Sequence, residues 1–305
     1  MRRPLLAFVL LALSAAPSAS QSLSIESGLH PDGTATPQWL AMLRRRLPDS
    51  AYASAAGITR PLTRSEAAWV ELVRSRAPAW EGEIPSLAAP WRPVPAPPRV
   101  TVVLGNRGAN DAFTHDSVTL GFDLAALQEV YGDAGPEDAE RLDRLFRHEF
   151  EHLMQKAWLA RRPYAANSQL DAAALEMWLE GLGTWRSLSD RWRTTDGRDS
   201  EAAARALREL EPVFVARIEA LACASPASAA ALTADLSWGP FEKKWGALVP
   251  ALWLEREASR TPESHRALIE AGPDGIWVLA DRNLQPALRP VLAEAHAATT
   301  RCARG

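Results

Sequence analysis

Residues 141–160 read RLDRLFRHEFEHLMQKAWLA, and within them His148, Glu149 and His152 spell His-Glu-x-x-His. Side chains at i and i+4 of an α-helix lie one above the other, so His148 and His152 bring two imidazoles to one point in space. That is a metal-chelating pair. Glu149 is turned about 100° from His148 and flanks the pair, where a carboxylate reaches a water held by the same ion. The local sequence supports the helix. Gly135-Pro136 precedes it, and Glu137 and Asp138 fall in its first turn, where the helix dipole favours negative charge. Leu142, Leu145, Phe146, Leu153 and Ala157 recur at helical spacing and predict a buried face.

A catalytic metal of the zinc type takes three protein ligands and leaves a position open, so a third ligand has to come from elsewhere. An extended motif with Gly and a third His shortly downstream is excluded, because Gln155 and Trp158 occupy those places. A Gly-Thr-x-Asp arrangement is not supported either, since Arg186 follows Gly183-Thr184 where the Asp would stand. A Glu on a second helix remains. Residues 170–186, LDAAALEMWLEGLGTWR, keep helical spacing through Leu170, Ala173, Ala174, Met177 and Trp178. Glu176 and Glu180, at i and i+4, could both face the metal helix. Gly181 and Gly183 remove bulk just beyond Glu180 and let another element come close, which makes Glu180 the stronger candidate.

The two motifs together, His148-Glu149-Phe150-Glu151-His152 and Trp178-Leu179-Glu180-Gly181-Leu182-Gly183, resemble the gluzincin metallopeptidases, the group of the thermolysin-like and aminopeptidase-like enzymes. In the aminopeptidase-like members the third ligand is the Glu of Trp-Leu-x-Glu-Gly-x-Ala. This chain lacks the residue between Leu and Glu, carries Gly183 in place of the Ala, and has a longer interval between the motifs. The resemblance implies one catalytic Zn2+ held by His148, His152 and Glu180, with Glu149 as general base and a peptide or protein as substrate. It also implies an α+β fold: a small mixed β-sheet packed on the metal helix, then a mainly helical C-terminal subdomain.

The remaining sequence is read around this centre. Residues 1–20 place Arg2 and Arg3 before an apolar run over 5–13 and small residues at 18–20, the pattern of a secretory signal peptide, so a periplasmic or secreted protein is expected. The apolar run is too short to span a bilayer, which takes about 20 residues. No later run is long enough, so no stable membrane insertion is expected. The net charge of −3, with both signs interspersed, gives no electrostatic footprint for nucleic acid. Cys223 and Cys302 are the only cysteines, and export allows them one disulfide.

Residues 21–83 read as an N-terminal helical region, with one helix opening at Pro37 and another behind a Thr63-x-x-Glu66 capping box. It reads as an integral subdomain packed on the catalytic core, with a propeptide that covers the site as the alternative. Residues 84–98 hold six prolines and predict an extended, non-helical linker, with the catalytic domain over 99–305. Strands are predicted at 100–104 and 117–122. By the resemblance, 117–122 is an exposed sheet edge that takes up substrate backbone, and His115 beside it could line the cleft. Helices are predicted over 201–222, 229–236 and 244–257, interrupted or bounded by Pro212, Pro240 and Pro250, with Trp238, Trp245 and Trp253 in core or cleft wall.

Gluzincins stabilise the oxyanion with a Tyr or His beyond the third ligand. Here Tyr52, Tyr131 and Tyr164 all precede Glu180, which leaves His265, His296, Lys243 and Lys244 as candidates. Two functions follow: an exported zinc peptidase, or a zinc-binding interaction protein that keeps the fold with weak catalysis.

Overall fold

The structure, a computed structural model, describes residues 21–107, 110–195 and 198–302; the expected signal peptide lies outside the described residues. The first part of the chain runs β1 (Ser22–Ser27), α1 (Pro37–Arg46), α2 (Asp49–Ala56), α3 (Arg64–Ala88), β2 (Arg99–Gly105), β3 (Ala112–Thr114), β4 (Thr119–Asp123) and α4 (Leu124–Tyr131). Then follow α5 (Ala139–Arg161), α6 (Gln169–Ser187), α7 (Glu201–Leu221), α8 (Pro226–Thr233), α9 (Trp245–Ala258), α10 (Ser264–Ala271), α11 (Gly275–Asn283) and α12 (Arg289–Cys302). The fold is α+β, with one small mixed sheet of strand order β1-β2-β4-β3 and helices over the rest. β1, β2 and β4 run parallel, and β3 is antiparallel to β4.

Local chemistry sets the helix boundaries. Thr63 and Glu66 form the predicted capping box at α3, and Arg60 grips both Glu66 oxygens at 2.6 Å. Ser168 opens α6 by accepting from the Asp171 amide at 3.1 Å, and Ser200 does the same for α7. The metal helix begins as expected at Pro136, through one turn of 3₁₀ helix before α5.

Several expectations are corrected. Residues 21–83 are not purely helical, because Ser22–Ser27 pairs with β2 as a strand of the sheet. The stretch expected to be an extended linker is helical as far as Ala88, with Pro85 inside α3, and Ile84, Leu87, Trp91 and Val94 are buried in the main core. Burial of that apolar face outweighs the backbone bond lost at the proline. The strand predicted at 117–122 begins at Thr119, and β2 and β3 flank it on both sides, so β3 and not this strand forms the sheet edge on that side. Pro212 and Pro250 lie inside α7 and α9 without interrupting them. Trp245 and Trp253 are fully buried as expected, whereas Trp238 is 59% exposed. Cys223 and Cys302 are joined, with Cα atoms 5.7 Å apart.

Helix α5 is anchored on two sides. Toward α3, Asp143 accepts two bonds from Arg76 at 2.9 Å and one from Trp80 at 2.8 Å, and the Trp80 ring stacks on Phe146. Toward α6 and α10, the fully buried Glu151 accepts from Arg186 at 3.0 Å and from His265 at 2.9 Å. Burial alone would raise the Glu151 carboxyl, but Arg186 and His265 outweigh it and hold it below its ordinary value. Burial pushes His265 down, against the pull of Glu151.

For both groups the unfolded chain binds the proton more readily than the folded one, so stability falls on acidification. His265 begins to cost stability as pH drops below its ordinary 6.5, and the Glu151 contribution is lost as pH drops below its ordinary 4.5. Urea unfolding from pH 8 to pH 4 should follow this decline. Glu151→Ala should cost about 3–5 kcal/mol at pH 7, because it takes the carboxylate partner from the mostly enclosed Arg186 and from the buried His265.

Candidate metal centre

Helices α5 and α6 pack side by side, and the predicted ligands meet between them. His148 Nε2 lies 3.0 Å from His152 Nε2. The Glu180 oxygens lie 3.6 Å from His148 Nε2 and 3.8 Å from His152 Nε2. All three side chains are half-buried, and they are a group able to hold a metal ion. A tetrahedral ion with bonds of about 2.0–2.2 Å needs donors about 3.3–3.6 Å apart. The observed separations bracket that range, so the residues fit an ion with small adjustments of rotamer.

Each imidazole is oriented from behind. The Gln155 amide nitrogen donates to the backbone carbonyls of Trp178 at 3.2 Å and Leu179 at 2.9 Å. Its oxygen must therefore face the other way, where it accepts from His152 Nδ1 at 2.6 Å. The Ser187 hydroxyl donates to the Thr184 carbonyl at 3.1 Å and turns its oxygen to His148 Nδ1 at 3.4 Å. In both rings Nδ1 faces these partners, which leaves Nε2 turned to the shared point.

Gly183 makes room for this arrangement, since a Cβ there would sit 2.9 Å from His148 Cε1. Gly181 serves a different neighbour, as its Cβ would press on Pro250 of α9 at 3.0 Å. Glu176 is not part of the group: it accepts from Ser237 at 2.9 Å, and burial together with Glu180 pushes its carboxyl up.

The charges suit metal binding. Burial opposes ionisation of Glu180, yet His148, His152 and Lys244 bring its pKa down to about 2. Burial pushes His148 down, but its bond to Glu180 and the charges of Glu149 and Glu180 leave it above its ordinary value. Lys244, at the start of α9, is the oxyanion candidate whose charge acts on both Glu180 and His148. His265 is committed to Glu151 deep in the core, and the His296 ring packs edge-on against Trp277.

Glu149 is buried beside the three ligands without joining them. Thr114 Oγ1 on β3 lies 2.8 Å from its Oε2 and 2.9 Å from its backbone carbonyl, which ties the carboxylate to the sheet edge. Lys156 donates to the carbonyls of Thr114 at 2.8 Å and His115 at 3.3 Å, and its charge faces Glu149. His115 thus stands at the end of β3 and outside the ligand group. Sequence reasoning missed Thr114, Gln155 and Ser187. Gln155 left a trace, a polar residue one turn past His152 on a face that is otherwise buried. The other two are brought in by tertiary packing alone.

Compared with protein-family models, curated proteins and solved structures, the chain matches none.

Gln155→Leu should weaken metal binding about 10–100-fold by freeing the His152 ring. Gly183→Ala should displace His148 and weaken it as well. Metal must displace the proton favoured on His148, so affinity should fall as pH falls through neutrality, with protons released on binding. Calorimetric titrations in buffers of different ionisation enthalpy measure both quantities.

Proposed function

We propose that the protein is an exported zinc-dependent peptidase in which His148, His152 and Glu180 hold the ion and Glu149 is the general base. The observation that carries this reading is the convergence of two imidazole Nε2 atoms and a carboxylate on one point. Three N and O ligands with one open position suit a catalytic ion, whereas structural zinc sites are usually closed by four. Zinc, when bound, supplies Lewis acidity, lowering the pKa of water toward neutrality and polarising a carbonyl.

The chain's own residues supply the rest. Glu149 takes the proton of the attacking water and returns it to the leaving amine. Thr114 holds that carboxylate at the edge of β3. The bonds His115 N to Thr119 O and Asp123 N to Asp111 O give the inward pairing to residues 111, 113 and 115. The Thr114 N–H and the Ala112 carbonyl therefore face away from β4, the side on which a substrate strand would add. This antiparallel edge beside the metal helix supports the gluzincin resemblance. Lys244 is the cation available for the developing oxyanion, in place of the family's Tyr or His.

Glu149→Gln should keep stoichiometric zinc and lose peptide hydrolysis, read by metal analysis and cleavage of a mixed peptide library. Lys244→Met should lower kcat about 10²–10³-fold with little change in bound zinc. Zinc bound without cleavage by the unaltered mature protein would favour the interaction protein. Cleavage that survives in Glu149→Gln would remove Glu149 from the reaction.

A further inference from the structure

A recess lies apart from His148, His152 and Glu180, where the residues after α3, the end of α5 and helix α10 meet. It has a volume of about 480 Å³. Its floor is apolar: Trp91, Val94, Trp158 and Ile269, all buried. Its rim is cationic: Arg92, Arg161, Arg162 and Arg266, with Glu270 as the one acid.

The charges do not cancel locally. Arg266 consumes Glu270 through a bond of 2.8 Å, and Arg162 lies 5.5 Å over the Trp158 ring while reaching the Glu270 carbonyl at 3.4 Å. Arg92 and Arg161 form no ion pair among the described residues. Four guanidiniums against one carboxylate leave an excess of three positive charges around this recess, in a chain whose net charge is −3. Guanidinium forks match carboxylate and phosphate oxygens, and an apolar floor beneath them matches a hydrocarbon body.

We propose that this recess binds a small amphipathic anion, an alkyl carboxylate or alkyl phosphate, with its tail on Trp91 and Trp158 and its head group between Arg92, Arg161 and Arg162. The site takes the free amphiphile rather than a bilayer, because its apolar surface is the recessed floor while the rim is charged. None of its residues belongs to the metal centre, so it stands independently of the proposed peptidase activity.

Calorimetric titration of the mature protein with dodecanoate, kept below its micelle concentration, tests this. One dodecanoate should bind per chain. Arg92→Glu and Arg161→Glu, both at exposed positions, should each weaken it about tenfold or more. Arg99→Glu, an exposed arginine on the sheet, should leave binding unchanged, and Glu270→Gln should tighten it. Dodecyltrimethylammonium and inorganic phosphate, which keep only the tail or only the anion, should bind far more weakly, and phosphatidylglycerol vesicles should not retain the protein. The proposal is overturned if the cationic amphiphile or bare phosphate binds as tightly as dodecanoate, or if the two charge reversals leave dodecanoate binding unchanged. Vesicle binding that disappears in the same two variants would overturn it in favour of a membrane surface.

Discussion

The constraint on which the site depends is that two imidazoles one turn apart must aim the same nitrogen at the same point. A helix supplies the spacing but leaves each ring free to rotate and to choose its tautomer. Gln155 removes that freedom for His152, because its amide is itself fixed by the Trp178 and Leu179 carbonyls of α6. Glu180, the third member of the group, lies one residue beyond those carbonyls. The helix that supplies the carboxylate thus also orients an imidazole, and the ligand geometry and the packing of α5 on α6 are one arrangement.

The rest of the fold keeps α5 in place for this contact. Three charged groups on its faces are held by other elements: Asp143 by Arg76 and Trp80 of α3, Arg147 by Glu83, and Glu151 by Arg186 and His265. The Glu151 cluster is buried, and a buried pair is a weak source of net stability but costly to break on one side, whereas the half-buried Arg147–Glu83 pair adds less. These contacts therefore penalise displacement of α5 in any of these directions. Helix α9, buried from Trp245 to Glu255, closes the other side of α6, with Pro250 against Gly181.

The His148, His152 and Glu180 group was legible in the sequence because its members sit on long helices with strong periodicity. Spacing alone brought His148 and His152 together, and Gly181 and Gly183 marked Glu180 over Glu176. Other features were not legible, for physical reasons. β3 is three residues long, too short for an alternating pattern to register, and β1 pairs across a long sequence separation that no local signal reports. Proline counts predicted an extended segment at 84–88 where tertiary burial sustains a helix. Thr114 and Ser187 reach the site only through packing, and a hydroxyl in a sequence carries no mark of the group it will meet.

The central claim is that His148, His152 and Glu180 form one metal site, and X-ray absorption at the zinc edge tests it most directly. The account predicts one zinc per mature chain, with a first coordination sphere of two imidazole nitrogens and light oxygen donors and no sulfur. A zinc signal that keeps its two imidazoles after His148→Ala, or a chain that retains no zinc when supplied with it, would contradict the account.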